Sequence, residues 1–213
     1  MKMKDPVKRA PGRPRAFDRE GALKAAMILF WRNGYEGTSM AQLTAAMGIN
    51  APSLYAAFES KEKLYREALT LYLGSLGNIG VGALEECASA REGVQNVLEQ
   101  AASAFTRRDC PSGCMVGSGA LRGAEENQVV VQETAALRRM AQEATERRFK
   151  RAIADGELAP DTNFKALTAF YSTVVQGMSV QAQDGATRND LLRVVNVAMA
   201  AWPSAPAKRK AKG

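Results

Sequence analysis

Histidine is absent from the 213-residue chain. That single absence excludes Ser-His-Asp and Cys-His catalysis, most histidine-ligated metal sites and the commonest general base. Cysteine is scarce: Cys87, Cys110 and Cys114 are the full set. An odd and small number of thiols argues against a disulfide scaffold and for a reducing compartment, so a cytoplasmic protein is expected. Long apolar runs are also missing, and the lysine- and arginine-rich opening leads into no apolar stretch of the kind a secretory signal needs. No membrane span is expected. Neither a Gly-rich phosphate loop, nor a nucleophile elbow, nor a paired-carboxylate site is readable, which disfavours an enzyme. Three thiols without histidine or a carboxylate cluster leave a metal short of ligands, and no metal or cofactor is expected.

What is present is the composition of a folded protein of one or two domains, 46% hydrophobic and 24% charged. The net charge of +7 is unevenly placed. Residues 1–15 hold six basic residues and one aspartate, and residues 208–212 hold Lys208, Arg209, Lys210 and Lys212. Between them, 19 basic face 21 acidic residues. Positive tails around a near-neutral body suit contact with a polyanion, although a charged terminus can also serve solubility alone.

Nearly every segment reads as helix, about nine in all, and no strand alternation is convincing. Leu23, Ala26, Met27 and Phe30 fall at i, i+3, i+4 and i+7, with Asp18 as N-cap and Gly34 as the stop, giving a first helix over 19–33. Ser39 and Gln42 have capping-box spacing and open a second helix to Met47. Gly48-Ile49-Asn50 makes a tight turn. Asn50 opens a third helix, with Pro52 in its first turn and Leu54 and Phe58 on one face. Ser60 caps a fourth, which runs to a glycine-rich break at 74–82. Further helices are expected around 94–105, 114–121, 127–154, 161–183 and 188–202. The apolar faces of the last two are wide enough to require more than one neighbour, and part of that surface is expected to face a second subunit.

Two short helices joined by a Gly-containing turn, behind a longer one, form the arrangement of a helix-turn-helix DNA reader. The detail sharpens this: Gly34-Tyr35-Glu36-Gly37-Thr38-Ser39, then Gly48-Ile49-Asn50-Ala51-Pro52-Ser53-Leu54-Tyr55-Ala56-Ala57-Phe58, then Ser60-Lys61-Glu62-Lys63-Leu64. Residues 17–70 closely resemble the DNA-binding domain of TetR (AcrR-type) transcriptional regulators. The resemblance implies an all-α homodimer that pairs through its last two long helices and binds a palindromic double-stranded operator. It also implies release by a small-molecule effector, hence a repressor. The domains would be a basic arm at 1–16, the helix-turn-helix domain at 17–62, an effector-binding and dimerisation domain at 63–202, and a basic tail at 203–213.

Roles follow from side-chain chemistry. Thr38 and Ser39, at a helix N-terminus, suit a phosphate. Tyr55 projects away from the Leu54/Phe58 face and offers its hydroxyl to the backbone, with the Lys61 cation nearby. Ala51, Pro52, Ser53, Ala56 and Ala57 are left to meet base edges, and only Ser53 among them forms hydrogen bonds. Specificity must then come partly from elsewhere: Gly12-Arg13-Pro14-Arg15 resembles an AT-hook core, in which Arg13 and Arg15 enter an A·T-rich minor groove, the alternative being a tail that acts through charge alone. Phe105, Met115, Met140, Phe149, Phe170, Tyr171, Val174 and Met178 are candidates to line an effector pocket, each equally a core residue. Cys114 at a helix start, with Cys110 close in sequence, offers an alternative as a thiol sensor of oxidants or electrophiles. A low-specificity architectural DNA binder using the basic tails is a further alternative.

Overall fold

The computed structural model describes residues 18–75 and 81–203. Among these, ten α-helices and one 3-10 turn are present and no strand. The helices are α1 (Arg19–Asn33), α2 (Met40–Met47), α3 (Ala51–Phe58), α4 (Lys61–Ser75), α5 (Val81–Glu86), α6 (Ala90–Phe105), α7 (Met115–Ser118), α8 (Gln128–Ala154), α9 (Phe164–Gln183) and α10 (Arg188–Ala200). Local chemistry sets the first boundaries. Asp18 accepts from the Gly21 N–H and Gly34 closes α1 at φ 73°, while Ser39 and Gln42 cap each other's backbone at the head of α2.

The tenth helix is α5, where the glycine pattern predicted a break. Leu84 is buried, and its backbone meets α6 at Gly93, where an added Cβ would lie 3.1 Å from the Leu84 carbonyl oxygen. A tertiary contact of that closeness holds a helix of six residues, too short to be stable by itself. The expected helix at 114–121 contracts to Met115–Ser118. The helix expected from Asp161 begins instead at Phe164, where Asn163 accepts from the Ala166 N–H at 3.0 Å.

Side chains separate into two apolar clusters. The first gathers Ala26, Met27, Phe30 and Trp31 of α1, Leu43, Leu54 and Phe58 of the hairpin, and Leu64 to Tyr72 of α4. Its aromatic centre is edge-to-face, with Phe30 and Tyr65 centroids 5.0 Å apart and Trp31 and Tyr72 4.8 Å apart. It also takes Met115, Val116, Ala120 and Val130, so its packing runs across residue 62 into the C-terminal half. The second cluster joins α5, α6, α8, α9 and α10 through Leu98, Phe105, Phe149, Tyr171, Met178, Leu191 and Val195. Within it Arg148 is 2% exposed and pairs with Glu157 at 2.9 Å, while Glu157 also accepts from the Ala90 N–H. The loop after α8 is thereby tied to the head of α6.

Ordered contacts tie α1, α4 and the turn after α1 to the segment that runs from α7 to the first turns of α8. The Tyr35 N–H donates to the Gly119 carbonyl at 2.8 Å. Glu36 Oε1 accepts from the Ala124 N–H and from Asn127 Nδ2, both at 2.9 Å. Arg66 forks onto Glu133 at 2.7 and 2.8 Å. The α1–α4 unit is therefore oriented by charge-assisted bonds as well as by packing.

Candidate nucleic-acid interface

The candidate surface is built by α2, the Gly48 turn and α3. Gly48 adopts φ 66°, ψ 30°, a left-handed geometry that glycine takes without Cβ strain, and so turns the chain between two helices of eight residues each. Asn50 Oδ1 accepts from the Ser53 N–H at 2.8 Å and starts α3. Leu54 and Phe58, one turn apart, are 0% and 1% exposed and lock α3 to the core. The opposite face of α3 is left free: Ala51, Pro52, Ser53, Tyr55 and Ala56 are exposed. Tyr55, at 51%, is the most outward large ring of the hairpin.

Two residues depart from the sequence reading. Thr38 is fully buried, and its hydroxyl donates to the Gly34 carbonyl at 2.7 Å, so it is turned inward and offers nothing to a phosphate. The reason is local: the chain reverses at Gly34, and the hydroxyl satisfies a carbonyl the ended helix leaves open. Ala57 is half-buried against the first cluster, not free to meet bases. Ser39 remains exposed, with its hydroxyl accepting from the Gln42 N–H at 3.2 Å.

Lys61 is half-buried rather than extended into solvent. Its ammonium lies 4.3 Å from the centroid of the Tyr35 ring, and burial lowers its pKa while the Glu36 carboxylate opposes that. Arg13 and Arg15 lie outside the described residues. Arg19, which belongs to no sequence motif, reaches from α1 to the end of α3: its Nη2 is 3.2 Å from the Ala57 carbonyl oxygen and 2.8 Å from Glu67 Oε1. No local signal marks it, because its partners are 38 and 48 residues away.

The expected effector-pocket residues are not gathered around one space. Phe105, Phe149, Tyr171 and Met178 are buried in the second cluster and Val174 packs against it, whereas Met115 belongs to the first. Met140 and Phe170 are 62% and 41% exposed. A recess of 430 Å³ is lined by α1 residues such as Lys24, Ile28 and Arg32 together with Ala46. Another, of 580 Å³, is lined by residues that include Arg91, Glu157, Met199 and Trp202. Neither contains an expected pocket residue.

Cys110 has its pKa pushed up by burial, with Arg107 opposing, which is the reverse of a poised thiolate. Cys114 precedes the four-residue α7, too short to carry much dipole. Its sulfur accepts from the Tyr72 hydroxyl at 3.5 Å, and its N–H donates to Ser179 Oγ at 2.8 Å. Among the described residues, no group of three or more Cys, Asp or Glu could hold a metal ion, and no helix is long and apolar enough to cross a membrane.

Comparison with known proteins gives the surface a context. Residues 22–68 match the family of bacterial regulatory proteins described as tetR, and residues 90–197 match the tetracyclin repressor-like C-terminal domain. The HTH-type transcriptional repressor ComR of Escherichia coli (strain K12) is 34% identical over 200 residues, 92% of this chain and 94% of its own. The repressor BdcR of the same organism is 33% identical over 178 residues, 83% of this chain and 85% of its own. Among solved structures, a cysteine mutant of the TetR family regulator CifR complexed with 26 bp double-strand operator DNA is 49% identical. The match covers 90% of this chain and 100% of that one, with a TM-score of 0.84.

Proposed function

The chain belongs to the tetR family of bacterial regulatory proteins, and on that premise we propose that it is a DNA-binding transcriptional repressor that reads a palindromic operator as a homodimer. The observation that carries the proposal is the split of α3: Leu54 and Phe58 are sunk in the core while Ala51, Pro52, Ser53, Tyr55 and Ala56 face outward. That is the geometry by which a second helix enters the major groove with its N-terminal residues on base edges.

The roles divide by chemistry. Ser53 reads a base edge, Ala51 and Pro52 supply apolar contact to thymine methyl groups, and Ser39 and Tyr55 bond to phosphate oxygens. Lys61 adds charge at the head of α4. Arg13 and Arg15 reach the adjacent minor groove. Residues 17–62 form the DNA-reading unit and residues 63–202 the effector-binding and dimerisation unit. Relatives of this chain are named repressors, and CifR is complexed with operator DNA. A small-molecule effector that binds the C-terminal unit better in the DNA-free state releases the operator by linkage.

Dimerisation is supported by apolar residues left exposed on the last two long helices. Ala166, Ala169, Phe170, Thr173, Gly177 and Val180 are exposed along one side of α9 at helical spacing, and Val197 on α10 is 74% exposed. An added Cβ at Gly177 would meet nothing within 4 Å, which leaves room for a partner helix to approach closely. The test is selection of bound sequences from a random duplex library at near-physiological salt. A palindrome with half-sites about one helical turn apart is expected. Recovery of unrelated or merely A·T-rich duplexes would overturn the reading.

A further inference from the structure

The reading helix is held by little. α3 has eight residues, and Leu54 and Phe58 are the buried ones. Two plugs on one face fix the depth of a helix, but they leave it able to pivot about the line joining them. Its first turn is closed by its own Asn50. Its last turn ends at Glu59 with φ 63°, the one positive-φ residue other than glycine among the described residues. Such an end is strained and persists only where its surroundings determine it.

Glu59 pairs with Lys63 of α4, and a second side chain reaches this end from another helix. The Tyr55 carbonyl takes the Glu59 N–H and the Phe58 carbonyl takes the Ser60 N–H, but the Ala57 carbonyl takes Arg19 Nη2 from the first turn of α1. The same nitrogen bonds Glu67 of α4. The guanidinium carbon lies 4.4 Å from the centroid of the Phe58 ring. One planar cation thus touches a terminal carbonyl of α3, a core plug of α3 and a carboxylate of α4, and it places positive charge at the end of α3 where the helix dipole favours it. Because Glu67 stands 2.8 Å away, the Arg19 charge is already matched and adds little net attraction for a phosphate.

We propose that Arg19 is a positioning residue for sequence reading: it fixes the pose of α3 against α1 and α4 so that Ser53 and its neighbours meet base edges, without itself contacting DNA. The inference rests on the DNA-reading function proposed above. Its role differs from that of Tyr55 or Lys61, since loosening the pose removes discrimination between sequences while leaving backbone attraction intact.

The test uses the full chain as Arg19→Met, Arg19→Lys and Glu67→Gln variants, with two readouts. The first is affinity for the selected operator and for a random duplex over a salt series. Arg19→Met should lose about tenfold of its operator preference, with random-duplex affinity and salt slope unchanged. Arg19→Lys should not restore the preference, because an ammonium lacks the planar fork. Glu67→Gln should lose part of it, non-additively with Arg19→Met. The second readout is amide hydrogen exchange in the free protein, where Arg19→Met should speed exchange in α3 and leave α6 alone. An equal loss on both duplexes with a salt slope smaller by about 0.9 would make Arg19 a phosphate contact and overturn the proposal. Unaltered preference, or unaltered α3 exchange, would overturn it as well. Exchange needs no DNA, so a wild-type protein that binds every duplex alike defeats the operator reading while the clamp is still judged.

Discussion

At the scale of single residues, position on the surface separates roles that chemistry alone leaves together. Thr38 and Ser39 are adjacent hydroxyls before one helix, yet one is fully buried on the Gly34 carbonyl and the other is exposed at the cap. Thr38→Val should therefore lower thermal stability by about 1–2 kcal/mol through an unsatisfied carbonyl, with no change in the salt slope of DNA binding. Differential scanning calorimetry and a salt titration measure the two. On the outer face of α3, Tyr55→Phe should weaken binding to operator and random duplex alike, by about 1 kcal/mol for one lost hydrogen bond. Ser53→Ala should instead alter preference at particular base pairs in a repeated duplex selection. Equal behaviour of these two variants would reject the division of roles.

At the scale of elements, helix ends and close approaches matter more than helix interiors. α2 is eight residues long and opens with a complete capping box, so Ser39→Ala should cost about 1 kcal/mol in a denaturant titration. The loop before α7 is tighter still. Gly113 has φ 78°, and an added Cβ would lie 2.8 Å from the Ser179 carbonyl oxygen and from Gln183 Cγ. Gly113→Ala should then destabilise by about 1–3 kcal/mol through backbone strain and displacement of α9, seen as a lowered denaturation midpoint. The same closeness explains α5: a six-residue helix between glycines reads as a break from its own sequence, yet Leu84 against Gly93 secures it.

At the scale of the whole molecule, the N-terminal helices are joined to the segment between α7 and α8 by a seam whose pH dependence has a definite sign. Glu36 has its pKa lowered, first by the Asn127 side-chain bond and then by the Ala124 backbone N–H, with burial opposing. A carboxylate depressed in the folded state contributes stability that is fully present above its ordinary value of 4.5 and is lost as pH falls through the lowered one. Glu36→Gln should thus flatten the acid limb of a stability profile below about pH 4.5 relative to the parent protein. An unchanged acid limb would show that the seam does not carry that linkage. Val197→Glu places a charge among the exposed apolar residues of the last two helices. It should yield folded monomers in sedimentation and reduce operator affinity by about a hundredfold or more, as expected when two linked half-site contacts become one.

Much of this protein is local and therefore legible in its sequence. Both ends of α1 and α2 and the start of α3 follow from Asp18, Gly34, Ser39, Gln42, Gly48 and Asn50, because a cap or a positive-φ glycine acts within four residues of itself. The outward face of α3 follows from Leu54 and Phe58 by helical period alone. Tertiary structure decided what depends on residues far apart. It turned Ala57 inward, laid Lys61 on Tyr35, sent Met115 to one cluster and Tyr171 to the other, and left Met140 and Phe170 on the surface. It also brought Arg19 to Ala57, Phe58 and Glu67. Such contacts carry no periodic signal: a side chain's partner across the core is set by how helices pack, and helical period specifies only which face is turned toward it.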